Sequence, residues 1–325
     1  FFTSNTHDTL MFVTDRGQLY WLKVYKIPEG SRTAKGKAVV NLIQLQPDEK
    51  IKAIIPTTDF DESKSLAFFT KNGIVKRTNL SEFKNIRSVG VRAISLDDND
   101  ELVTALIAQT YDDMPVTDPE NELSVETEVL EVEELQNEID EDNANTEEDA
   151  NSGDETMLFV VTKKGMCLKF KISKVRQMGR TARGVTGIKF KEPGDEVVGA
   201  AVIESNDQEI LSISQKGIGK RTTADEYRLT NRGGKGVICM KLTSRTGDLV
   251  GVVMVDEEQD LMALTSSGKM IRVDMQSIRK AGRNTSGVIV VNVDGDDVVS
   301  IARCPKADDG EDEDEAPSED MGLLE

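Results

Sequence analysis

A short polar turn ending in glycine separates two apolar runs five times in this chain: Met11-Phe-Val-Thr-Asp-Arg-Gly17-Gln-Leu-Tyr, Ala67-Phe-Phe-Thr-Lys-Asn-Gly73-Ile-Val-Lys, Leu158-Phe-Val-Val-Thr-Lys-Lys-Gly165-Met-Cys-Leu, Leu211-Ser-Ile-Ser-Gln-Lys-Gly217-Ile-Gly-Lys and Met262-Ala-Leu-Thr-Ser-Ser-Gly268-Lys-Met-Ile. Each copy reads as a β-hairpin, because a type I turn whose last residue takes a positive φ suits glycine, which has no Cβ to clash. A second glycine then follows at a nearly constant distance. Gly36, Gly184, Gly236 and Gly287 each lie 19 residues beyond their hairpin glycine, and Gly90 lies 17 beyond its own. Such repetition constrains the fold more tightly than any local propensity, since every copy must build the same unit.

The second glycine introduces another β-rich run, as in Lys37-Ala-Val-Val-Asn-Leu, Val91-Arg-Ala-Ile-Ser-Leu, Val237-Ile-Cys-Met-Lys-Leu and Val288-Ile-Val-Val-Asn-Val, and a last run follows a polar turn, as in Asp195-Glu-Val-Val-Gly-Ala-Ala-Val and Asp248-Leu-Val-Gly-Val-Val-Met-Val. Four short strands per unit result. Successive hairpin glycines are 56, 92, 52 and 51 residues apart, and the long interval contains residues 112–156, which read as an insertion between two repeats. An all-β ring of four-stranded, propeller-like blades is the expected fold class. A β-sandwich also gives regularly spaced strands, but it does not require two glycines at fixed offsets in five copies.

Charge separates the repeats from the rest. The chain carries 40 Lys and Arg against 59 Asp and Glu, yet residues 112–156 hold 19 of the acids and residues 308–325 hold 10, neither stretch having a single basic residue. The remaining 262 residues are therefore net +10. The expected organisation is a folded unit made of 1–111 and 157–307, an acidic disordered insertion at 112–156 and an acidic disordered tail at 308–325. A transient helix around 122–139 is compatible with the spacing of Val125, Val129, Val132 and Ile139. No apolar run reaches the roughly 18 residues of a membrane span, and no export signal is visible at Phe1-Phe2-Thr3-Ser4, so a soluble, cytoplasmic chain is expected. Cys167, Cys239 and Cys304 are widely spaced, as reduced thiols would be. The absence of an initiator Met suggests a fragment.

Basic residues cluster beside each second glycine and just after several hairpin turns. The clusters contain Arg32, Lys35 and Lys37; Arg87 and Arg92; Arg180 and Arg183; Arg232, Gly233, Gly234, Lys235 and Gly236; and Arg283, with Lys76, Arg77, Lys220, Arg221 and Arg272 following the turns. One repeat per blade would place them at corresponding points of a perimeter. Lys and Arg flanked by Gly, Ser and Thr suit phosphate oxygens along a curved duplex. With aromatic content of 5% and no recognition helix or zinc motif, affinity should be electrostatic and selectivity should come from DNA bendability.

The strings Thr6-His-Asp-Thr9, Lys23-Val-Tyr-Lys-Ile-Pro28, Gly36-Lys-Ala-Val-Val-Asn-Leu42, Gly219-Lys-Arg-Thr222 and Gly282-Arg-Asn-Thr-Ser-Gly-Val288 resemble the C-terminal domain of the bacterial DNA gyrase A protein. The resemblance implies a β-pinwheel, a propeller variant whose blades exchange strands, that wraps duplex DNA on its rim and supports negative supercoiling. It also implies partners, the rest of gyrase A and gyrase B in an A2B2 assembly, with ATP and Mg2+ used elsewhere in that enzyme and no cofactor in this stretch. The isolated domain is expected to be a monomer. The family's seven-residue box, Gln-Arg-Arg-Gly-Gly-Lys/Arg-Gly, is not found; the nearest string, Thr230-Asn-Arg-Gly-Gly-Lys-Gly236, matches five of seven positions. Five box-like glycines plus the missing one give an expectation of six blades with an incomplete first blade. The corresponding domain of the topoisomerase IV A protein is the nearest rival, and a protein-interaction propeller, which would carry apolar or acidic loop tops, is the rival of another class.

No catalytic centre is expected. His7 is the single histidine, and Tyr20, Tyr25, Tyr111 and Tyr227 fall within the repeats. Asp140-Glu-Asp142-Asn-Ala144-Asn145 is not a calcium loop, because Ala144 and Asn145 stand where a ligand and a glycine are required.

Overall fold

The computed structural model describes residues 4–30, 35–85, 89–110, 156–256 and 258–306. The acidic stretches at 112–155 and 308–325, the helical reading at 122–139, and Tyr111, Arg32 and Arg87 lie outside them.

Each of the five glycine turns closes a hairpin: β1 (Thr9–Thr14) with β2 (Gln18–Lys23), β4 (Lys64–Thr70) with β5 (Ile74–Asn79), β8 (Met157–Thr162) with β9 (Met166–Lys171), β12 (Glu209–Ser214) with β13 (Ile218–Thr223), and β16 (Gln259–Thr265) with β17 (Met270–Asp274). The last run of each repeat pairs with the first strand of its own hairpin, giving β3 (Ile51–Thr57), β7 (Leu102–Gln109), β11 (Val197–Ile203), β15 (Leu249–Met254) and β19 (Val298–Pro305). These inner strands pack against one another in that order around a cavity of about 490 Å³ lined by residues such as Lys52, Glu101, Gly199, Gly251 and Ser300.

The fourth strand of the first four sheets comes from the next repeat. The two-residue strands β6 (Val91–Arg92), β10 (Val185–Thr186), β14 (Val237–Ile238) and β18 (Val288–Ile289) pair with β2, β5, β9 and β13 of the preceding repeats. The register is the same each time, with the residue after the second glycine opposite the second residue after the hairpin glycine, as in Val91 opposite Leu19 and Val237 opposite Cys167. The strands stop after two residues because the next two N–H groups turn onto the hairpin glycine: those of Ala93 and Ile94 donate to Gly17 O, and those of Val290 and Val291 to Gly217 O. A side chain at Gly217 is excluded for the same reason, since a Cβ there would lie 2.0 Å from Val291 O.

The expectation of six blades with an incomplete first blade is overturned. The described residues form five sheets, of which the first four have four strands and the last has three. Strand donation to the preceding repeat explains the difference: the first sheet is completed by the second repeat, and among the described residues β17 is the hairpin strand with no donated partner. The run Lys37-Ala-Val-Val-Asn-Leu, read as a strand, has no preceding hairpin among the described residues and instead forms a 3-10 turn at Val39–Asn41.

Cores lie between neighbouring blades. Alternation along each strand sends Met11 and Val13 toward Leu66, Phe68 and Phe83 of the second blade, while Leu10 and Phe12 face the other way. There Val39, Leu42, Ile43 and Leu45 cover the outer face of the first blade, which is what the displaced run does in place of strand pairing. Burying one such Phe or Leu contributes about 1.5–3 kcal/mol. The hairpin-turn end of the blades carries a further link at each junction: Leu102 N donates to Asp15 O, Val197 N to Lys71 O, Leu249 N to Lys163 O and Val298 N to Gln215 O.

Candidate nucleic-acid interface

The outer edge of blades two to four is covered by the segment of the following repeat that carries the basic residues. Beyond the exchanged strand, an isolated parallel bridge joins Gln177 to Arg77, Leu229 to Lys169 and Lys280 to Arg221. Met178 N donates to Arg77 O at 2.8 Å, Thr230 N to Lys169 O at 3.0 Å and Ala281 N to Arg221 O at 2.9 Å. Successive basic loops are also bonded to one another: Ser95 N to Ala182 O, Lys189 N to Gly234 O and Lys241 N to Thr285 O. The loops therefore form a continuous belt along the rim, set by backbone bonds that any side chain permits, with glycine required where the belt meets the hairpin. At Gly236, with φ of +74°, a Cβ would lie 2.3 Å from Cys167 O.

The side chains singled out in the sequence divide into three groups. Arg92, Arg183 and Lys235 are exposed on this belt, Arg183 pairing with Asp97 of the preceding repeat, while Lys35 and Lys37 are exposed in the first repeat, outside the bonded loops. Arg180, Arg232 and Arg283 are half-buried with Gly233, Gly234 and Gly236. Arg232 donates to Lys174 O at 2.8 Å and to Thr186 O at 3.0 Å, so its guanidinium fastens its own loop to the preceding one.

Of the basic residues after the hairpin turns, Lys76, Arg77 and Lys220 are drawn inward, Arg221 is half-buried and Arg272 stays exposed. Lys76 and Lys220 are fully enclosed. Lys76 Nζ donates to Ala93 O and to Arg180 O at 2.6 Å, and Lys220 Nζ to Arg283 O and to Gly282 O at 2.7 Å. Burial pushes both ammonium groups down to about 8. Tyr20 holds the equivalent place in the first blade, its hydroxyl donating to Glu49 at 2.9 Å, and burial raises it to about 12. Arg77 is buried, and Arg221 donates to Ile278 O at 2.7 Å and Gln276 O at 3.1 Å while pairing with Glu209 at 3.4 Å. Arg272 is held by Asp260 Oδ2 at 2.6 Å and by Pro305 O; the hydrogen bond to Asp260 raises its affinity for the proton. The sequence placed all these groups on one perimeter, whereas the alternation of strand faces puts Lys76 and Lys220 behind it.

Sequence reasoning missed Arg176, Arg228 and Arg279, all exposed. The signal was available: each stands eight residues before a second glycine and directly after a buried apolar residue, Val175, Tyr227 or Ile278.

Among the described residues, no cluster of His, Cys, Asp and Glu could hold a metal ion, and no helix is long and apolar enough to cross a membrane.

Comparison with known proteins agrees with this geometry. The family described as "DNA gyrase C-terminal domain, beta-propeller" matches residues 8–58, 64–109, 156–204, 208–256 and 259–305, one segment for each sheet. The DNA gyrase A protein of Campylobacter fetus is 73% identical over 99% of this chain, which spans 36% of that relative's length. Two solved structures share the fold at 24% identity: the C-terminal domain of DNA topoisomerase IV, with a TM-score of 0.70 over 93% of this chain and 80% of that one, and a DNA gyrase A C-terminal domain, with 0.68 over 92% and 83%. With five blades matched in order and a gyrase A relative at this identity, the chain belongs to the DNA gyrase C-terminal domain family of β-propellers.

Proposed function

We propose that this chain binds duplex DNA without sequence preference along its outer rim and bends it, serving as the wrapping domain of a bacterial gyrase A protein. The observation that supports this best is the bonded belt of basic loops, which sets Arg92, Arg183 and Lys235 beside the second glycine of consecutive repeats. A duplex resists a large bend over 20–30 base pairs at a cost of about 1–6 kcal/mol, and contacts repeated along a curved edge are a way to offset it. In the whole enzyme the wrapped segment would be presented for strand passage by the remainder of gyrase A with gyrase B, in the bacterial cytoplasm, with ATP and Mg2+ used by those other parts. Identity of 73% to a gyrase A protein favours gyrase over topoisomerase IV, to whose domain the likeness is one of fold.

The reading rests on a folded unit made of residues 1–111 and 157–307, with the acidic stretches as appendages. Its test is binding of unrelated duplexes at several salt concentrations, together with ligation of nicked circles on the protein. Equal affinity for the different sequences, a steep salt dependence and a changed linking number are expected. Sequence-selective binding, or binding without salt dependence, would remove it.

A further inference from the structure

We infer that Arg176, Arg228 and Arg279 form a second row of phosphate contacts, parallel to the belt of basic loops and bound to the same duplex. The inference deepens the reading above and rests on it.

The three arginines occupy one structural position in three successive repeats. Each follows a buried residue that ends a 3-10 turn, Val175, Tyr227 or Ile278, and precedes the residue bridged to the neighbouring blade, Gln177, Leu229 or Lys280. The backbone is fixed on both sides, by an apolar anchor before the arginine and a strand bridge after it. Each side chain is exposed and makes no ion pair or side-chain hydrogen bond among the described residues. Nearby Arg221 is paired with Glu209 and Arg232 donates to two carbonyls, whereas these three guanidinium groups stand exposed beside them with no such partner.

The row also runs along the right edge. The stretch of β5 covered by the next repeat runs from Ile74, opposite Thr186, to Arg77, opposite Gln177. Three residues of strand span about 10 Å. That is close to the major-groove width of about 12 Å, so contacts at the two ends of the covered edge can meet the phosphate strands flanking one groove. Planar guanidinium groups suit phosphate oxygens, and contacts to both strands fix the duplex on the rim more firmly than contacts to one.

The test uses the whole chain. The triple substitution R176A/R228A/R279A is compared with R176K/R228K/R279K and with K71Q/K164Q/K216Q, which removes the same charge from lysines already paired with Glu196, Asp248 and Asp297. Each phosphate contact contributes about 0.9 to the slope of log affinity against log salt, so the alanine triple should lower the slope by roughly 2.7 on any sequence. The lysine triple should retain it, and the glutamine control should change it little. If the wild type binds duplex with a steep slope and the alanine triple matches it, or if the alanine and glutamine triples fall equally, the second row is wrong. If the wild type does not bind duplex, the parent reading fails and the row with it.

Discussion

The ammonium group of Lys220 donates to the main-chain carbonyl of Gly282, 2.7 Å away, and so pins the fifth basic loop to the fourth blade from inside. Lys76 holds Arg180 O in the same way two blades earlier. These lysines shape the rim without being part of its surface. K220M keeps the volume but removes the donor of Arg283 O and one of the two donors of Gly282 O, which keeps Thr285 Oγ1, and a buried carbonyl left unpaired costs about 1–3 kcal/mol. Its denaturation midpoint should fall and duplex affinity should weaken, while the salt slope stays at the wild-type value because no phosphate contact is removed. A lower slope in K220M would contradict this role.

Stability should depend on pH through the same pair. Below pH 8 both lysines are charged in the folded and the unfolded chain, and the full cost of burying them is present. Between about 8 and the ordinary lysine value of 10.5 the folded protein releases these protons while the unfolded chain keeps them. The unfolded state binds more protons there, so this pair makes stability rise with pH across that window. Urea midpoints of the wild type and of K76M/K220M between pH 7.5 and 9.5 measure it. The wild type should gain relative to the double variant as pH increases.

Two glycines with the same backbone conformation should respond differently to alanine. Gly36 and Gly236 have φ of +70° and +74°, but only at Gly236 would a Cβ meet backbone, at Cys167 O. G36A should cost about 1–2 kcal/mol for the left-handed conformation alone. G236A should cost clearly more and loosen β14 from β9, visible as faster amide exchange at Cys239, whose N–H donates to Gly165 O. Equal midpoints for the two variants would argue against strand exchange as the constraint.

Lys235 and Arg232 stand three residues apart and should separate. K235A removes an exposed charge and should lower the salt slope by about one with little change in stability. R232A also breaks the bonds to Lys174 O and Thr186 O, so it should reduce both the salt slope and the thermal midpoint.

The acidic stretches should compete with DNA. They carry 29 carboxylates tethered to a unit of net +10, at an effective concentration on the order of millimolar where the linker allows reach. Deleting residues 308–325, or replacing 112–156 with a short linker, should tighten duplex binding most at low salt, since screening acts over about 8 Å at physiological ionic strength. Titration of a short duplex at two salt concentrations checks it, and unchanged affinity in both deletions at low salt would make the acids mere solvated appendages.

Glycine spacing, strand period and charge distribution by themselves determined the hairpins, their number and the basic loops beside Gly90, Gly184, Gly236 and Gly287. These are local properties: a turn that needs positive φ, an apolar alternation and a charge can each be read from a few neighbouring residues. The tertiary structure decided where the fourth strand goes, because the partner of Val237 is Cys167, 70 residues earlier, and a two-residue strand has no period of its own. That choice completed the first sheet and, among the described residues, made the last of the five sheets the three-stranded one. It also decided which basic groups face outward. Lys220 and Arg221 are adjacent in sequence and alike in charge, but neighbouring side chains in a strand point to opposite faces, and only the packing of the next repeat fixes which face becomes the interior.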